Sequence, residues 1–247
     1  MGCYQVRSDA GRDRGQAVAG SWRQAEPGKG LVFAAQVGVA AEKKSLYAAE
    51  RDTEANRQRR ASYLEAIRAI SPERLIFLDE SGVSTQMTRG YGRCLGGARI
   101  AEARPEGNWK ILTILGAMSV GGMIAAMTIE AATDQEIFLA YLDHVLCPKL
   151  EPGDVVVMDN LSSHKVAGVR ERIEAAGAAV LYLPPYSPDL NPIEKAWSKL
   201  KQLLRAAKAR SADALHQAIA DLLPQITPDN AQAWFRLRME PLYKIGK

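Results

Sequence analysis

Two short apolar runs, "LIFLD" (75–79) and "VVVMD" (155–159), each end in an aspartate. Four apolar residues without a polar interruption suit a strand buried on both faces, the kind found in parallel sheets covered by helices. An acid that closes such a strand sits where the sheet opens. Taken singly, Asp79 or Asp159 is also explained as a strand-end residue bonding into a turn. The shared template favours the other reading, in which two parallel strands bring both carboxylates to one sheet edge.

The elements around these runs fit that constraint. Residues 74–84 read as a strand, followed by a Gly-punctuated loop at 89–97. "WKILTILGAMSVGGMIAAMTIEAA" (109–132) reads as two strands joined by a tight turn at Gly121-Gly122. Residues 133–150 form an amphipathic helix that Thr133 or Asp134 caps and Pro148 stops. A strand at 153–160, a helix at 165–177 ending in a glycine cap and a strand at 178–186 follow, then helices over 192–206, 211–223 and about 228–238. This order predicts an α/β fold, a five-stranded mixed sheet flanked by helices, with the first and fourth strands side by side. Upstream, residues 43–72 read as a helical linker in which Leu64, Ile67 and Ile70 recur at helical spacing. Residues 1–42 are Gly-, Ala- and Arg-rich with little periodicity and are expected to be poorly ordered. Residues 73–210 form the expected main domain and 211–247 a C-terminal helical extension.

The segment "YLPPYSPDLNPIEKAWSKLKQLL" (182–204) supplies a third acid. Pro184, Pro185, Pro188 and Pro192 stiffen the approach to a helix, because each fixes φ and restricts the residue before it. Asn191 is placed to cap that helix, with Pro192 at its first position and Glu194 at its third. One reading is a capping box, with Glu194 bonding back to the Asn191 N–H. The rigid lead-in favours a second: the prolines hold Glu194 where a ligand must stand, within roughly 0.5 Å of its working position. Ile193, Ala196, Trp197, Leu200, Leu203 and Leu204 make the buried stripe of the helix. Two carboxylates close together raise each other's pKa, and a divalent cation removes that penalty. Hard oxygen ligands with room for water and phosphate oxygens suit Mg²⁺ or Mn²⁺.

Charge is distributed unevenly over the 247 residues. Residues 71–194 carry a net −6, residues 195–247 a net +6, and the whole chain +4. An acidic centre beside a basic segment suits a cation site next to a polyanion track, although a solvated helix surface gives the same count. Cys3, Cys94 and Cys147 are scattered and lack metal spacing, which points to a reducing cytoplasm without disulfides or zinc. No apolar run approaches the ~18 residues of a membrane span, and the N-terminus has no signal-peptide core. Val6 stands where a myristoylation signal needs Ser or Thr.

Asp79 in "FLDESG", Asp159 in "VMDNLSSHK" and Glu194 in "LPPYSPDLNPIEKAW" resemble the catalytic core of DDE transposases, in the bacterial insertion-sequence branch of the mariner-type superfamily. The 34 residues between Asp159 and Glu194 match that superfamily's spacing, and "KKSLYAAERD", "YGR" (91–93) and "GNWK" (107–110) resemble the same branch. The resemblance covers about residues 43–240. It implies an RNase H-like fold and Mg²⁺-dependent DNA cleavage and strand transfer with two ions, Asp79 bridging, Asp159 on one ion and Glu194 on the other. It further implies inverted-repeat element ends and a TA target as the double-stranded DNA partners, with a homodimer bridging two ends and no membrane. Asn160 and His164 are candidates to orient the site, His164 otherwise being a helix-entry residue bonded to backbone. Arg93, Lys110, Lys165, Lys195, Lys199 and Arg205 are candidate DNA contacts, or else solvated surface charges. Trp109 and Trp197 could stack on bases, but Trp197 lies on the buried stripe and reads better as core. Family members carry helix-turn-helix elements ahead of the catalytic domain; residues 1–42 do not resemble them, so a truncated or out-of-frame start is expected. Two other readings stand beside the transposase: an RNase H-like nuclease that cuts without joining, and a non-catalytic DNA-binding remnant.

Overall fold

The computed structural model describes residues 48–243, apart from 95, 97–98, 105, 108 and 161–167. The expectation for residues 1–42 lies outside the described residues. Helix α1 spans Glu54–Arg68 and leads through a short turn at Pro72–Arg74 into strand β1, Leu75–Ser84. Strands β2 (Ile111–Ser119) and β3 (Gly122–Ile129) form a hairpin whose turn uses Gly122 at φ 116, a left-handed conformation that side chains disfavour. Helix α2 (Gln135–Tyr141), strand β4 (Val155–Met158), helix α3 (Val169–Ala175) and strand β5 (Ala179–Tyr182) follow. Helices α4 (Ile193–Ala207), α5 (Ala212–Leu222) and α6 (Pro228–Tyr243) end the described chain.

The five strands among the described residues form one sheet in the order β3-β2-β1-β4-β5. β1 pairs antiparallel with β2 and parallel with β4, and β4 pairs parallel with β5. This is the mixed sheet expected from the order of elements, and the fold the resemblance implies.

Alternation along β1 and β4 divides the core in two, because successive strand side chains point to opposite faces. Phe77 and Val157 pack on one face with Ile193, Trp197 and Leu200 of α4 and Phe235 of α6. Ile76, Val156 and Met158 pack on the other with Phe138 and Tyr141 of α2 and Ile173 of α3. Covering a sheet on both faces is what its unbroken apolar strands require.

Two local expectations change. The helix expected over 133–150 is capped by Asp134, whose side chain accepts from the Ile137 N–H at 2.9 Å. It is regular only to Tyr141; Leu142–Leu146 widen into a π turn and Cys147–Lys149 tighten into a 3-10 turn. Pro148 explains the change, since it lacks the N–H an α-helix would need there. Second, α4 starts at Ile193, and its N-cap is Pro192, with no side-chain cap bond. The Asn191 N–H is taken by the Pro188 carbonyl at 3.1 Å, inside a 3-10 turn at Pro188–Leu190. The capping box is therefore not formed, and the Glu194 side chain is released from that role.

Phe235 is buried and meets Phe77 edge-on, ring centroids 5.3 Å apart and planes at 84°. Phe235→Ala should cost about 3–5 kcal/mol in urea unfolding; a loss below about 1 kcal/mol would show that α6 does not help hold the sheet.

Candidate active site

Strand register places the first two acids. Phe77 pairs with Val157 in the parallel β1–β4 ladder. Asp79 and Asp159 each lie two residues beyond that pair, so they are level and face the same side as Phe77 and Val157, the side that carries α4. β1 does not stop at Asp79; it runs on to Ser84 against β2, with Asp79 opposite Gly116. Asp79 thus stands where β1 outruns β4 and the sheet parts.

The third acid comes from the first turn of α4. Its approach is held by the prolines and also by an ion pair that sequence reasoning missed. Arg60 of α1 donates to both Asp189 carboxylate oxygens, at 3.1 and 2.8 Å, and to the Ser187 hydroxyl at 2.6 Å. Bidentate guanidinium–carboxylate pairs fix orientation as well as distance. Burial works against the Asp189 charge, yet Arg60, with help from Arg51 and a backbone N–H, outweighs it and holds its pKa below the usual value. Local sequence could not reveal a pair separated by 129 residues.

Asp79, Asp159 and Glu194 line one cleft of about 420 Å³, together with Asn160, Pro184 and Asn191. A second hollow of about 610 Å³ adjoins it between α1 and the β5–Pro185 stretch, sharing Asn160, Pro184 and Pro185. Asp79 and Asp159 are half-buried and Glu194 is exposed. Burial first, then the negative charge of Glu194, raises the Asp79 pKa from 3.8 to about 7; Asp159 adds to the rise, while the Glu80 backbone N–H and the Trp197 indole oppose it. Glu194 and Asp159 are therefore both close enough to Asp79 to repel it. Among the described residues no three acid, histidine or cysteine side chains already stand in ion-holding geometry. Like charges gathered in one cleft oppose one another's ionisation.

The other expected site residues divide. Asn160 lines both hollows. His164 and Lys165 lie outside the described residues. Arg93, Trp109 and Lys110 are exposed on the β1–β2 connection. Lys195 and Arg205 are half-buried on α4. Lys199 turns elsewhere: its ammonium donates to the Gln225 carbonyl at 2.6 Å and to Asn230 Oδ1 at 2.5 Å, tying α4 to the start of α6. Trp197 is core, as its place on the stripe suggests, and its indole N–H also reaches Asp79.

A family model described as DDE superfamily endonuclease matches residues 74–216, more than half of the chain and a span that contains all three acids. The chain belongs to the DDE superfamily of endonucleases. No protein of curated function matches it by sequence. Among solved structures, this DDE endonuclease is similar to the Mos1 transposase paired-end complex with left transposon end, at TM-score 0.70 and 16% identity over 87% of this chain and 68% of that one. It is similar to the Mos1 Strand Transfer Complex at TM-score 0.65 and 17% identity, with the same coverage. The catalytic domain of Mos1 mariner transposase aligns at TM-score 0.60 and 16% identity, over 83% of this chain and 95% of that one. Identities this low establish the shared fold. Other Mos1 structures hold Mn or Mg.

The raised pKa has a consequence for stability without metal. Between pH 4 and 7 the folded DDE endonuclease holds a proton on Asp79 that the unfolded chain releases near 3.8. Folding stability should then fall as pH rises through that window, by at most about 4 kcal/mol. Asp79→Asn should remove this part of the slope when melting is followed from pH 4 to 7.5 in chelator. An unchanged slope would mean that Asp79 ionises freely.

Proposed function

We propose that this chain is a transposase catalytic domain of the bacterial insertion-sequence branch of the mariner-type superfamily, cutting DNA at element ends and joining it to target DNA. One observation carries the reading: parallel register sets Asp79 and Asp159 level on the face that α4 covers, and Glu194 opens α4 into the same cleft. The donor set suits Mg²⁺ or Mn²⁺: three hard carboxylates, of which Asp79 has its pKa raised first by burial and then by the charges of Glu194 and Asp159. When bound, two divalent ions supply Lewis-acid stabilisation of the attacking and leaving oxygens of an in-line displacement.

The chain's own residues do the rest. Asp79 and Asp159 would hold the ions with carboxylate oxygens from adjacent strands, and Glu194 would complete the donor set from the first turn of α4. The exposed side of the cleft admits a phosphodiester, and Asn160 stands at the passage into the adjoining hollow. That hollow, with Arg59 on its wall, offers a path for the strand leaving the cleft. Arg93, Lys110, Lys195 and Arg205 would contact phosphates. Lys199 already donates to the Gln225 carbonyl and to Asn230. The expected partners are inverted-repeat ends and a TA target, with two copies of the chain bridging a pair of ends at the bacterial nucleoid. Among the described residues no helix is long and apolar enough to cross a membrane.

DNA carrying the native flanking repeats, incubated with and without Mn²⁺, tests the reading. Metal-dependent nicks at the repeat ends are expected, with joined products on a plasmid target; nicks without joined products would favour a nuclease that does not transfer. Asp79→Asn, Asp159→Asn and Glu194→Gln should each lower cleavage at least about 10³-fold while leaving the melting transition cooperative. Full activity in any of them removes that residue from the site.

A further inference from the structure

Trp197 is 2% exposed, and its Nε1–H donates to Asp79 Oδ2 at 3.1 Å. Core packing alone does not require this bond. A buried indole needs an acceptor, but here the acceptor is a carboxylate of the cleft. The room for the ring comes from Gly116, which pairs with Asp79 across the β1–β2 ladder. A Cβ there would meet Trp197 Cη2 at 2.5 Å, Cζ2 at 3.0 Å and Met123 Cε at 2.9 Å. Any other residue would have to displace the ring or the methionine. A bare strand position, an indole and an aspartate thus interlock.

The chemistry of the indole matters. It is a donor only and carries no charge. It can therefore hold Oδ2 without neutralising the carboxylate, as a lysine or arginine would, and without taking or giving a proton as a histidine can. Trp197 also stands one helical turn after Glu194 on α4, so the side chain that steadies the first acid is part of the rigid element that presents the third.

We propose that Trp197 is a positioning residue: its indole N–H, seated over Gly116, sets the orientation of the Asp79 carboxylate for divalent-cation binding and couples Asp79 to the helix that carries Glu194. This rests on the metal-dependent reading above. Removing the N–H leaves one Asp79 oxygen without its donor in a half-buried place, and the carboxylate gains rotational freedom it must lose again when a cation binds.

The test replaces Trp197 by β-(3-benzothienyl)alanine, which keeps the bicyclic shape and puts sulfur where the N–H was, with Trp197→Phe as a genetically simple second variant. Mn²⁺ binding is read by calorimetry, cleavage is titrated against Mn²⁺, and melting is followed in parallel. Partners of metal ligands typically contribute 10–100-fold. The isostere should raise the Mn²⁺ Kd about 10-fold and shift the Mn²⁺ needed for half-maximal cleavage by a similar factor, with a melting midpoint close to that of the parent. A Kd within about twofold of the parent's, in an isostere that folds, overturns the proposal and leaves the metal-dependent reading standing. Failure of the unsubstituted protein to bind Mn²⁺ overturns both.

Discussion

The parallel pairing of Phe77 with Val157 is the constraint on which the site depends. Side chains alternate along a strand, so slipping β4 by one residue against β1 would send Asp159 to the opposite face of the sheet. The slip is opposed by the whole core, because Val156 and Met158 pack under α2 and α3 while Val157 packs under α4. The hydrophobic pattern that drives folding is also what aligns the two acids. Their positions follow from burial of their neighbours and need no dedicated contact between them.

Aiming the third acid is a different problem, since α4 is joined to β5 through ten residues, 183–192, that hold no regular structure beyond the 3-10 turn at Pro188–Leu190. Proline rigidity shortens the list of conformations that chain can take, and Arg60 selects among them by gripping Ser187 and Asp189 from another helix. Trp197 then docks the far side of the same helix onto β1 and β2. The stretch that carries Glu194 is thus fixed ahead of the acid by an ion pair and behind it by an indole. The cleft between remains electrostatically unfavourable, with a half-buried aspartate repelled by two other acids. Natural folds tolerate such conflict at functional sites, where a ligand relieves it.

Much of this was legible in the residues. The five-stranded mixed sheet and the side-by-side placement of β1 and β4 followed from apolar runs and the alternation of elements, because those signals are local. Template and spacing singled out the three acids that the fold brings to one cleft. What escaped was non-local or turned on backbone detail. The Arg60–Asp189 grip joins residues far apart in the chain. Asn191 looked like a cap to whose N–H Glu194 bonds back, but the helix starts one residue later, after Pro192, and the 3-10 turn at Pro188 takes that N–H. The tie from Lys199 on α4 to Gln225 and Asn230 at the start of α6 likewise joins segments far apart in the chain. Gly116 reads as an ordinary strand glycine until the indole that fills its missing side chain is seen.

The central claim is that Asp79 and Asp159, level on one sheet face, and Glu194, opening from α4 into the same cleft, gather around shared divalent ions. Crystals soaked in Mn²⁺ and measured for anomalous scattering at the manganese edge would locate those ions directly. The account predicts density bounded by carboxylate oxygens of Asp79 and Asp159, with the Glu194 side chain swung inward to meet it. Manganese density elsewhere on the molecule, with these three side chains unmoved, would contradict it.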